Sequence, residues 1–131
     1  MDKKAIHIER ELHSNSPAII WSLISTAAGL EKWIADSVNE SEDELTFTWG
    51  SPWSHHETRK AKVTQKKKND LIRLHWEDDD DDVYWEMRME KSEITNDYIL
   101  CVTDFAPSDD VDSLYDIWEQ NFAVLHRSSG L

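Results

Sequence analysis

The chain has 131 residues, of which 39% are hydrophobic, and it carries 7 Trp, 3 Phe and 3 Tyr. That is the length of one compact domain with enough large apolar side chains to bury a core, which excludes wholesale disorder. With 14 Lys plus Arg against 27 Asp plus Glu, the net charge is −13, a surface that repels nucleic-acid phosphates and anionic membranes alike. The lone Cys101 excludes an intrachain disulfide and any multi-cysteine metal site, and it fits a reducing compartment. Charges break up the first ten residues, so no signal-peptide core is present, and no run approaches the ~20 apolar residues of a membrane span. The expected setting is cytoplasmic.

Residues 4–13 alternate, with Ile6, Ile8 and Leu12 on one face and His7, Glu9, Glu11 and His13 on the other, which predicts a half-buried strand. Ser16 can cap a helix whose first position is Pro17, where a missing N–H costs nothing. Ile19, Ile20, Leu23 and Ile24 follow at helical spacing, and Thr26 can cap a second short helix through Ala27, Leu30 and Trp33. From residue 35 to 105 the helical period gives way to alternation. Ala35–Glu40 reads as a weak strand, Leu45, Phe47 and Trp49 as a clear one, and Glu57–Gln65 as another with Ala61 and Val63 on one face. A basic turn, Lys66–Asp70, leads to a strand facing with Ile72, Leu74 and Trp76, and the six carboxylates Glu77–Asp82 make the next turn. Val83, Trp85, Met87 and Met89 alternate with Tyr84, Glu86, Arg88 and Glu90; after a turn at Thr95–Asp97, Tyr98–Phe105 is the last strand. Ser108 or Asp109 can cap a long helix carrying Val111, Leu114, Tyr115, Trp118, Phe122 and Leu125 as one stripe, with Gly130 where it should stop.

Consecutive strands joined by short turns imply an antiparallel sheet with one apolar face to cover. The long helix has the only stripe of sufficient length, so the sheet should curl around it and hide Trp49, Trp76 and Trp85 between them. Such a grip often leaves a cavity.

Several segments carry a resemblance to a known family: Ser16-Pro17; Thr26-Ala27-Ala28-Gly29-Leu30-Glu31-Lys32-Trp33 followed by Ile34-Ala35-Asp36; Phe47-Thr48-Trp49; Arg73-Leu74-His75-Trp76-Glu77; Thr103-Asp104-Phe105; and Trp118 in the last helix. In their order and spacing, over nearly the whole chain, they resemble the START-like, or helix-grip, superfamily. The branch is the one related to the activator of the heat-shock chaperone ATPase, and the pattern is closest to START-like domain proteins of the Bacteroidetes type. Ile34 stands where that branch commonly has Phe. The resemblance implies an α+β helix-grip fold as a single domain over residues 1–131. It implies a curved antiparallel sheet of about six to seven strands around a long C-terminal helix, with two short helices after the first strand. Superfamily members bind lipids, sterols, polyketides or plant hormones, a few are cyclases, and the co-chaperone branch binds a chaperone; fold alone does not choose among these.

The candidate ligand-binding residues are Trp49, Trp76, Trp85, Met87, Trp118 and Phe122, with Arg73 or Asp104 orienting a polar end. Indole and thioether side chains make adaptable walls for an apolar ligand. The competing reading is a filled core, since large side chains contribute ~1.5–3 kcal/mol each when buried. Trp53, in the loop after Trp49, could gate the pocket. His55 and His56 are adjacent, so on a strand they point to opposite faces and cannot readily share a metal ion with His75; no metal and no cofactor is expected. The run Glu77–Asp82 has neither the alternation nor the glycine of a calcium loop. About 20 Å of strand separates the Lys66–Lys68 turn from this acidic one, so the molecule should have a basic and an acidic edge, able to orient a protein partner or support head-to-tail association at low salt. Glycine-rich phosphate loops, HExxH and GxSxG are absent from the sequence, which leaves catalysis without a motif. The leading function is therefore binding of a small apolar or amphipathic ligand. The alternatives are a co-chaperone-like protein-interaction module using the charged edges, and a cyclase- or hydrolase-like enzyme.

Overall fold

The computed structural model describes residues 3–50 and 55–131. Strand β1 (Lys3–Glu11) is followed by α1 (Pro17–Ser25) and α2 (Ala27–Leu30), then by β2 (Ser37–Ser41), β3 (Glu44–Gly50), β4 (His56–Lys67), β5 (Leu71–Trp76), β6 (Trp85–Lys91), β7 (Tyr98–Pro107) and the long helix α3 (Val111–Ser129). The seven strands form one antiparallel sheet in the order β1-β7-β6-β5-β4-β3-β2. The hairpins from β2 to β7 pair sequential neighbours, and β1 closes the order by pairing with β7 from Lys3↔Pro107 to Glu11↔Ile99. The sheet is curved, and α3 lies on its inner side: this is the α+β helix-grip arrangement that the alternation and the C-terminal stripe predict.

Local chemistry sets the element ends. The Ser16 hydroxyl accepts from the Ile19 N–H with Pro17 at the start of α1, and Thr26 Oγ1 accepts from the Gly29 N–H at 2.9 Å, each satisfying a donor that the helix itself leaves unpaired. Gly130 ends α3 in the left-handed region at φ 78°. Asn69 and Asn96 take positive φ in the turns after β4 and β6, a conformation Asn tolerates better than most residues. At the α1–α2 corner a Cβ on Gly29 would stand 2.0 Å from the Ser22 carbonyl oxygen, so only glycine lets the two helices meet there.

Several boundaries differ from the sequence reading. Helix α2 is a single turn, and Trp33 lies just beyond it, buried, with its indole N–H donating to the Leu23 carbonyl at 2.9 Å. Strand β2 runs into the polar segment, and β4 continues to Lys67, because ladder bonds to β3 and β5 override weak local pattern. Neither Ser108 nor Asp109 caps α3. Ser108–Asp110 form a turn of 3-10 helix, and Asp110 precedes the helix without a side-chain cap bond.

The inner face of the sheet presents Ile6 and Ile8, Leu100 and Val102, Trp85 and Met87, Ile72 and Leu74, and Phe47, all buried. Helix α3 adds Trp118, Phe122 and Leu125 to the same core. It is not alone in covering the sheet, as the sequence suggested: Ile20, Leu23 and Ile24 of α1 and Leu30, Trp33 and Ile34 after it complete the core. Helix α3 packs against β1 and β7. The inner surface farther along the sheet, toward β3, is therefore left partly open. No helix among the described residues is long and apolar enough to cross a membrane.

Candidate functional site: an indole-lined cleft between sheet and helix

The partial cover has a direct consequence. Between α3 and the inner face of β3–β7 lies a cleft of about 450 Å³, half open to solvent, within the roughly 300–1,000 Å³ common for small-molecule sites. Period-two alternation aims Trp49 from β3, Trp76 from β5 and Trp85 from β6 into it, and Asp104 from β7 joins them. Helix α3 supplies Leu114, Ile117, Trp118 and Asn121, which helical spacing places on one face.

The aromatic rings brace one another. Trp76 and Trp85 stack with centroids 5.2 Å apart, and Trp85 lies 6.1 Å from Trp118. Beneath them Phe47 meets Trp85 edge-on at 5.6 Å, an arrangement favoured by ring quadrupoles. Trp49 donates its indole N–H to the Ile34 carbonyl at 2.9 Å, fixing β3 against the segment after α2. The Trp85 Nε1 is buried without a hydrogen-bond partner among the described residues, a state that costs about 1–3 kcal/mol.

Asp104 is the polar centre of the site. Its Oδ1 accepts from the Phe105 N–H at 2.8 Å, and its Oδ2 accepts from the Trp118 indole N–H at 2.9 Å, so the carboxylate joins β7 to α3. Burial pushes the Asp104 carboxyl up to about 6; the two hydrogen bonds pull the other way without offsetting it, and the nearby Asp79 adds to the rise. Arg59 of β4 lies with its guanidinium carbon 4.1 Å over the Trp76 ring. Its Nε and Nη2 donate to Asp78 at 3.0 and 2.7 Å, and Arg59 in turn holds the Asp78 carboxyl below its ordinary value.

The cleft gathers Trp49, Trp76, Trp85, Asp104 and Trp118 from the residues singled out in the sequence. The other three lie elsewhere. Arg73 is on the outer face, donating to Glu86 Oε1 at 3.2 and 2.9 Å and lying over the Tyr84 ring, so it cannot orient a ligand inside. Met87 is fully buried in the core behind the site. Phe122 stacks on Trp33 at 5.9 Å and faces a separate groove beside β1, where Arg10 lies over its ring. The sequence reading passed over Arg59, Glu57, Ile117 and Asn121, all at the cleft. Arg59 and Glu57 share the parity of Ala61 on β4, so extending that alternation toward the N-terminal end of the strand would have found both.

Trp53, the expected gate, lies outside the described residues. His75 is on the outer side with Nδ1 2.8 Å from the Val83 carbonyl oxygen, and no group of three or more His, Cys, Asp or Glu among the described residues is arranged to hold a metal ion. Cys101 is half-buried on the outer side, and burial pushes its thiol up to about 12, which keeps it un-ionised and unreactive at neutral pH. Lys66 and Lys67 end β4 and Lys68 opens the turn before β5, so this basic cluster and the Glu77–Asp82 turn lie at opposite ends of β5. The acidic turn is partly compensated, since Lys3 pairs with Asp79 and Arg59 with Asp78.

Residues 1–130 match the START-like superfamily domain. The chain belongs to that superfamily. Among solved structures, a Bacteroides fragilis protein, BfR322, is 39% identical, with 97% of this chain and 91% of that one covered and a TM-score of 0.65. The Aha1 dimer from Colwellia psychrerythraea is similar in fold at 16% identity, covering 99% and 98% of the two chains with a TM-score of 0.67. Protein CV1439 from Chromobacterium violaceum is similar at 15% identity, 92% and 94% coverage and a TM-score of 0.73. No protein of curated function matches the chain.

Proposed function

We propose that this START-like domain binds a small apolar or amphipathic molecule in the cleft between the sheet and α3. The observation that carries the reading is the cleft itself: about 450 Å³ of half-enclosed space walled by Trp49, Trp76, Trp85 and Trp118, with Asp104 in its lining. An apolar body lying there would remove indole surface, chiefly that of the partly buried Trp49 and Trp76, from water at roughly 25 cal/mol per Å². Asp104 can accept a hydrogen bond from the ligand's polar end, the role the sequence reading shared between it and Arg73. No nucleophile-and-base pair is described in the cleft, and the reading is of binding and release, in a cytoplasmic setting.

The experiment is native mass spectrometry of protein purified from its own host, followed by titration of its tryptophan fluorescence with sterols and with long-chain alcohols and amines. A co-purifying small molecule and a saturable fluorescence change are expected. Protein that carries no small molecule, gives a flat titration and is retained by an immobilised chaperone would overturn this reading in favour of the protein-interaction one.

A further inference from the structure

Charged groups reach the surroundings of Asp104 from β4 and from the β5–β6 turn. From β4 come Glu57 and Arg59, and the guanidinium of Arg59 is already held by Asp78. From the β5–β6 turn comes Asp79, whose partner Lys3 of β1 is thereby engaged. Helix α3 turns Leu114, Ile117, Trp118, Gln120 and Asn121 to the cleft, none of them ionisable. No ion pair among the described residues includes Asp104. A partly buried carboxylate thus stands without an ion-pair partner inside a wall of indoles, in a chain of net charge −13, and Arg59, whose charge favours its ionised form from a distance, is bonded to Asp78 instead. Uncompensated buried charge is destabilising, and indole faces attract cations. Arg59 over Trp76 shows that these rings already accept one.

Resting on the cleft being a ligand site, we propose that the molecule it takes carries a protonated nitrogen, which pairs with Asp104 while an apolar body lies against Trp49, Trp76 and Trp118. The nitrogen supplies the contacting ion-pair partner that Arg59, held by Asp78, does not, and the rings add cation–π attraction and apolar contact. An anionic head such as a fatty-acid carboxylate would meet Asp104 and Glu57 and be repelled. The pairing needs Asp104 ionised, so it strengthens as pH rises through the range in which that carboxyl loses its proton.

Three probes of one shape and different charge test this: naphthylmethylamine, naphthylmethanol and naphthoate, titrated calorimetrically into the full chain and into Asp104→Asn at physiological salt. A charge-assisted hydrogen bond predicts that the amine binds the unaltered protein about tenfold more tightly than the alcohol, with naphthoate weakest. In Asp104→Asn, amine and alcohol should converge to within about twofold. The amine's affinity should fall as pH is lowered through about 6, where Asp104 takes up its proton, while the alcohol's stays level. If the alcohol or naphthoate binds the unaltered protein as well as the amine does, or if Asp104→Asn keeps the amine preference and its pH dependence, the inference is overturned while the cleft remains a ligand site. If none of the three binds, the cleft reading itself fails and takes the inference with it. Circular dichroism on the variant confirms that it is folded.

Discussion

Replacing Asp104 with Asn should stabilise this protein at neutral pH, although the substitution removes a side chain that makes two hydrogen bonds. Burial raises the Asp104 carboxyl from its ordinary value of 3.8 to about 6. The folded state therefore binds a proton that the unfolded chain has already released. Stability contributed by the protonated form is present below the unfolded value and is lost as pH rises toward the folded one. The difference corresponds to about 3 kcal/mol of destabilisation once pH is well above 6. Asparagine avoids that charge and keeps one carbonyl oxygen for either the Trp118 indole or the Phe105 N–H, but its amide group meets the other donor, a mismatch costing about 1–2 kcal/mol. The net expectation is a gain of about 1–2 kcal/mol near pH 7.5, shrinking to nearly zero around pH 5 as the native carboxyl becomes neutral. Urea unfolding at both pH values, followed by far-ultraviolet circular dichroism, measures it. A variant that is less stable at neutral pH, or whose advantage does not depend on pH, would refute the assignment of Asp104 as a desolvated and uncompensated charge.

Trp118→Phe removes the indole N–H that holds the Asp104 carboxyl down, so that carboxyl should titrate at still higher pH in the variant, as read from its carbon resonance; an unchanged or lower value would deny the bond. Gly29→Ala forces a Cβ onto the Ser22 carbonyl and should cost about 2–3 kcal/mol or prevent folding, checked by thermal unfolding. Glu42 sits at φ 55° in the β2–β3 turn, and Glu42→Asn should stabilise by about 0.5–1 kcal/mol in the same assay, since Asn tolerates that region. Arg59→Ala uncovers the Trp76 ring and should shift tryptophan emission to longer wavelength; unchanged emission would mean that the guanidinium does not lie there in solution.

Much of the fold is legible in the sequence because local chemistry and long-range packing agree. Ser16-Pro17 and Thr26 start helices, Gly130 stops one, and the alternation of Trp85, Met87 and Met89 marks a strand whose inner face is buried. The site was legible in the same proportion. Strand parity aims Trp49, Trp76 and Trp85 inward, and the same parity places Arg73, between Ile72 and Leu74, outward, where it pairs with Glu86. Arg59 was missed because the β4 alternation is written mostly in polar residues, and its inward direction comes from pairing with Phe47 across the ladder. Other features had no local signal at all. The seat of α3 against β1, which helps to open the cleft, depends on residues about a hundred positions apart. The Asp104–Trp118 bond joins residues only 14 apart but needs α3 folded back over β7, and the upward shift at Asp104 follows from burial that only the folded chain creates.

The most direct measurement is the set of tryptophan indole N–H resonances during titration with naphthylmethylamine. Trp49, Trp76 and Trp118 line the cleft while Trp21 lies on α1 away from it. A ligand held between the sheet and α3 should move the first three saturably and leave Trp21 in place. Resonances that all stay still, or that all drift together without saturation, would contradict a binding site there.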